Sequence, residues 1–65
     1  MKPDVQHKHH DPRSGVTYVV FAFRELEEHE IVTAVQGALA RCKKKDWPKR
    51  GETFHIYTVL GAEQG

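Results

Sequence analysis

The sequence predicts a small α/β domain of the α+β type, a single β-α-β unit with two strands packed on one amphipathic helix. Three observations predict it. Val16–Arg24 and Glu52–Leu60 are dense in β-branched and aromatic residues, the composition of strands. Between them, Ile31, Ala34, Val35, Ala38, Leu39 and Cys42 recur at spacings of three and four, which sets them on one helical stripe. A chain of 65 residues has room for one domain and one core.

Taken in order, residues 1–14 hold Pro3, Pro12 and only two large apolar side chains, and neither a strand nor a helix period runs through them. They are expected to form a flexible, basic, histidine-rich arm. The first strand is expected over residues 16–24. Val16, Tyr18, Val20 and Ala22 share one face, and Thr17, Val19, Phe21 and Phe23 the other. Both faces are largely apolar, so this strand belongs in the middle of a sheet or under cover on both sides. The helix is expected over residues 26–46. No Ser, Thr, Asp or Asn stands ready to cap it, which leaves its start open between Glu25 and Glu28. Gly37 at mid-helix costs roughly 1 kcal/mol relative to Ala. Pro48 ends the helix and Lys49–Gly51 turns the chain. The second strand follows over residues 52–60, with Phe54, Ile56, Thr58 and Leu60 on one face and Thr53, His55, Tyr57 and Val59 on the other. Residues 62–65 make a short polar tail.

A helical crossover between the strands favours a parallel pair. A domain of this size buries only about 60% of its unfolded surface, so its core is small. Cys42 is the only cysteine, which rules out a disulfide within the chain and suits a small buried hydrophobe. Two strands and one helix leave one apolar sheet face bare, and homodimerisation is expected to complete the sheet. No run is long and apolar enough for a membrane span or a signal peptide. A soluble, cytoplasmic protein with no membrane partner is the expectation.

The formal net charge of +1 conceals a strong polarity along the chain. Glu25, Glu27, Glu28 and Glu30 crowd one end of the expected helix; Arg41, Lys43, Lys44, Lys45, Lys49 and Arg50 crowd the other. Acids at a helix start and bases at its end complement the macrodipole by about 0.3–1 kcal/mol each, which accounts for much of this pattern. Lys49 and Arg50 lie beyond the helix and are not so explained. Several cations within one turn of chain, with Trp47 among them, suit phosphates and an unpaired base. Trp47 has a competing role, packing back onto the domain.

His7, His9 and His10, with Asp11, are a weak candidate for a divalent metal, since imidazole suits Zn, Ni or Cu. No Cys or His pair at ligand spacing accompanies them, and added positive charge for a polyanion is the alternative role. His55 and Tyr57 alternate on the second strand and are expected on its solvent side. No Gly-rich phosphate loop, serine elbow or HExxH motif is present. The expectation is a non-catalytic, homodimeric module with no cofactor and no small-molecule substrate, binding DNA or RNA through Arg41–Arg50. A nuclease-like site on His55 is a minor variant. The alternative is a protein-interaction or inhibitory module that adds a sheet edge or apolar face to a larger partner.

Overall fold

The β-branched run at Val16–Ala22 forms the central strand of a three-stranded sheet, with backbone pairing along both edges. The computed structural model describes residues 2–62. Its elements are β1 (Val5–Asp11), β2 (Val16–Ala22), α1 (Glu28–Ala40), a 3-10 turn at Lys44–Asp46, and β3 (Thr53–Tyr57). The sheet order is β1-β2-β3. Met1 of the expected arm and residues 63–65 of the expected tail lie outside the described residues.

The parallel pair appears as the crossover predicts: β2 and β3 run together from Thr17↔Thr53 to Phe21↔Tyr57, joined through α1. The third strand was not expected. Residues 5–11, assigned from sequence to a flexible arm, pair antiparallel with β2 over its whole length, from Val5↔Ala22 to Asp11↔Val16. Beyond Val5 their side chains are polar on both faces, so no hydrophobic period marks them. What recruits them is the unpaired backbone edge of β2, whose N–H and C=O groups need partners once buried. The link is a short turn. Asp11 accepts hydrogen bonds from the Arg13 N–H and the Ser14 hydroxyl, both at 3.0 Å. Those donors, the Arg13 N–H first, hold the Asp11 carboxyl below its ordinary range. Gly15, at φ 73°, donates to the Asp11 carbonyl at 2.8 Å and closes the turn.

The core lies on one side of the sheet. Val16, Tyr18, Val20 and Ile56 meet Val35 of α1, with Leu26, Ile31, Ala34, Ala38, Leu39 and Phe54 packed around them. The apolar stripe of the helix is therefore its sheet-facing side, and Cys42 beyond it is half-buried.

The helix is shorter than its periodicity suggests, Glu28–Ala40 rather than residues 26–46. At its start, Glu27 stands at the N-cap, where the sequence offers no Ser, Thr, Asp or Asn, and forms a capping box with Glu30. Glu30 Oε1 accepts the Glu27 N–H at 2.9 Å, and its carboxylate takes two bonds from the Arg24 guanidinium, at 2.8 and 3.1 Å. Arg24 first and the Glu27 N–H second pull the Glu30 carboxyl down to about 2. At its end, Lys43 turns extended (φ −68°, ψ 145°) and the 3-10 turn folds the chain back. The Trp47 indole N–H then donates to the carbonyls of Leu39 at 3.0 Å and Cys42 at 3.3 Å. Leu39 lies in the last turn of α1, where carbonyls lack helical partners, and its carbonyl also accepts the Cys42 N–H at 3.1 Å. β2 and β3 stop at Ala22 and Tyr57 instead of Arg24 and Leu60, but single bonds continue the pairing: Thr58 N–H to Phe21 at 2.9 Å and Phe23 N–H to Leu60 at 3.0 Å.

Two outcomes follow. Deleting residues 1–11 strips one edge of β2, and urea unfolding of the shortened chain should lose its cooperative transition; an unchanged midpoint would mean that the segment is a dispensable arm. The depressed carboxyl of Glu30 stabilises the fold fully above its ordinary value of 4.5, and that contribution is lost as pH falls through about 2. Stability measured from neutral pH downward should therefore drop less steeply in Glu30→Gln than in the wild-type chain, and parallel profiles would count against the Arg24–Glu30 clamp.

Candidate nucleic-acid interface

A parallel crossover returns the chain to the end of the sheet where β2 begins. That geometry gathers the basic residues. Arg41 stands at the C-cap of α1, Lys43, Lys44 and Lys45 run through the 3-10 turn, and Lys49 and Arg50 occupy the turn before β3. The hairpin turn between β1 and β2 lies against this last turn: the Gly51 N–H donates to the Gly15 carbonyl at 2.8 Å, and Arg50 Nη2 to the Arg13 carbonyl at 3.2 Å. Arg13 so joins the basic end from a part of the chain that the sequence alone did not connect to it.

The gathered residues divide by what they already hold. Arg41, Lys43, Lys44, Lys45 and Lys49 are exposed, and among the described residues none of them forms an ion pair. Arg50 is committed to the turn; its side chain lies so close over Gly15 that a Cβ there would meet Arg50 Cγ at 2.7 Å. Trp47 is committed too. Its N–H holds the helix end, and Lys44 Nζ sits 5.7 Å from the ring centroid, at cation–π distance. The nearest acids in sequence are Asp46 and Glu52, and Glu52 Oε1 accepts the Lys49 backbone N–H at 2.7 Å.

The histidines do not converge. Strand alternation sends His7 and His9 to the helix side of β1 and His10 to the opposite side. His7 Nε2 accepts the Leu26 N–H at 3.2 Å, which ties β1 to the segment leading into α1. The His9 ring lies 6.4 Å from that of Tyr18, and His10 Nδ1 is 3.1 Å from Thr17 Oγ1. Among the described residues, no three His, Cys, Asp or Glu side chains come together as metal ligands.

The side of the sheet away from α1 is a second surface, the bare face expected from sequence, here built by three strands instead of two. Across it, the registers align three rows: Gln6, Phe21 and Tyr57; Lys8, Val19 and His55; His10, Thr17 and Thr53. Phe21 and Tyr57 stack with centroids 4.7 Å apart and planes 12° from parallel, and His55 lies 6.0 Å from Phe21 at 23°. Val19 is shielded between its neighbours, whereas Tyr57 is 66% exposed. The alternation of Thr53, His55 and Tyr57 was legible from sequence. Its juxtaposition with Phe21 and Lys8 needed the third strand and the register.

No family model, curated protein or solved structure matches this chain. Its own geometry is what bears on function. Among the described residues, no helix is long and apolar enough to cross a membrane.

Proposed function

We propose that this protein is a non-catalytic nucleic-acid-binding module that meets phosphates with the basic end of its domain. One observation carries the reading. The helix ends at Ala40 with no basic residue in its last turn, so Lys43, Lys44, Lys45 and Lys49 lie beyond the macrodipole that would otherwise account for them. They are exposed, and unpaired among the described residues, at a cost in mutual repulsion that a polyanion would relieve. The acids at the other end of α1 add direction, since Glu25, Glu27 and Glu28 would repel the same ligand. Trp47 and Arg50 support this surface from within: one holds the helix end, the other the hairpin turn.

A second reading rests on β3, which is an edge strand with Val59 74% exposed just beyond it. A second copy of the chain, or a larger protein, would pair along that edge. Its mark is a complex that sedimentation still detects at salt high enough to release nucleic acid.

Binding of a fluorescent oligonucleotide, followed by anisotropy across a salt series, tests the primary reading. The Lys43→Ala/Lys44→Ala/Lys49→Ala variant should flatten the log–log salt dependence by about 2–3, at roughly 0.7–0.9 per lost phosphate contact, with its melting temperature unchanged. Arg50 is left in place because its loss would loosen the turn. Absence of binding to any DNA or RNA at low salt would end the proposal.

A further inference from the structure

We infer that the free edge of β3 is a self-interface: two copies pair β3 to β3 antiparallel about a two-fold axis, joining their three-stranded sheets into one, with the two α1 helices side by side. This rests on the reading of β3 as a pairing edge and commits that edge to a second copy of this chain.

The two edges of the sheet are unlike. β1 carries Lys8 and Asp11 between Pro3 and Pro12, and charges and prolines keep an edge strand from pairing. From Thr53 to Leu60 there is no Lys, Arg, Asp, Glu or Pro. Tyr57 and Val59 stand exposed there, two of the three large hydrophobic side chains that the described residues leave in water. The backbone is equally open. The Thr17 N–H bonds the Glu52 carbonyl and the Thr58 N–H bonds that of Phe21, which in a parallel ladder turns the even-numbered residues of β3 toward β2. Thr53, His55 and Tyr57 therefore direct their N–H and C=O groups outward, and a pairing centred on His55 uses all three.

Geometry and charge name the occupant. α1 packs on both β2 and β3, so its axis runs above the seam between them. With strands about 4.8 Å apart, that axis lies about one strand spacing from a two-fold at the edge, and the two helices come about 10 Å apart. Helices pack at about 8–10 Å, closest where their side chains are small. The side of α1 toward this edge carries Thr33 and Ala34 beside Thr58, and Arg41 shares a recess of about 150 Å³ with Val59. Gly37 falls between Thr33 and Arg41 on that side, one turn from each. A Cβ built on it would meet nothing beyond the helix's own backbone within 4 Å. Room is open where the second helix would lie.

A crossover helix runs antiparallel to the strands it joins, and the two-fold reverses it again in the partner. The acidic start of each α1, at Glu27, Glu28 and Glu30, then lies toward the other helix's end at Arg41, which forms no ion pair among the described residues. The charge polarity of one chain thus becomes self-complementary between two. A strand from an unrelated protein would match the backbone of the edge without this order of charge. Lys43, Lys44, Lys45 and Lys49 lie beyond the helix, and the interface does not need them.

The test uses the full chain, in sedimentation equilibrium over a concentration series and in amide hydrogen exchange at both ends of that series. Wild-type protein should pass from one chain to two as concentration rises, and the Thr53, His55 and Tyr57 amides should gain about tenfold protection or more with it. Gly37→Lys puts a long side chain between the helices, and Arg41→Glu turns acid toward acid; each should weaken the dimer by about tenfold. Both positions are exposed, so circular dichroism should show each variant folded, and Gly37→Lys should melt no lower than the wild-type monomer. A dimer that leaves the three amides unprotected, or that both variants leave intact, would overturn the inference. A chain that stays monomeric, while a salt-resistant complex with another protein protects the same amides, would overturn self-pairing and leave the pairing edge standing. Amides that exchange freely in every mixture would overturn both.

Discussion

Everything in this small domain depends on β2 being paired along both edges. Its backbone is the one element shared by the antiparallel hairpin with β1 and the parallel crossover with β3. Its side chains Val16, Tyr18 and Val20 are the centre of the core, with Val16 and Val20 almost wholly removed from water. A chain of this size has little apolar surface to bury, so it cannot also leave the edge of its most hydrophobic strand unmet. The pairing with β1 costs few apolar residues, because backbone groups supply it. That is how a polar, histidine-rich segment comes to serve as a structural strand.

The two charged ends of the helix turn out to have different physical origins. The acidic end is structural: Glu30 clamps Arg24 and accepts the Glu27 N–H, so a carboxylate serves as both cap and tie to the end of β2. The basic end is not held inside the helix. The chain leaves the helix at Arg41, and the Trp47 indole N–H folds back to bond the Leu39 carbonyl of the last turn. The cations are thereby freed from one another's helical spacing and spread over a turn, a helix cap and the approach to β3.

The sheet is likewise asymmetric. One face is covered by α1 and is mostly aliphatic, with Tyr18 and Phe54 meeting edge to face within it; the other mixes a stacked aromatic pair with hydroxyls, imidazoles and one ammonium. β2 carries apolar residues on both faces, and on the open one Val19 is shielded within the chain by its cross-strand neighbours Lys8 and His55. Phe21 is met by Tyr57 in the same way. Neighbouring strands supply lateral cover that a count of apolar residues along one strand does not include.

By itself the sequence determined β2, the apolar stripe of α1, the strand around Ile56 and the parallel sense of the crossover. Each of these is written in local composition and period, and each depends on residues within a few positions of one another. Tertiary structure alone decided that residues 5–11 would be a strand, that the helix would run from Glu28 to Ala40, and that Phe21 and Tyr57 would stack. Those outcomes rest on partners brought together from separate parts of the chain: the free edge of β2, the carbonyls that Trp47 reaches, and the register between β2 and β3. Backbone donors and acceptors are nearly the same at every residue, so which of them meet is settled by where folding places them. Arg13 and Arg50, far apart in sequence and bonded at the basic end, show that same dependence.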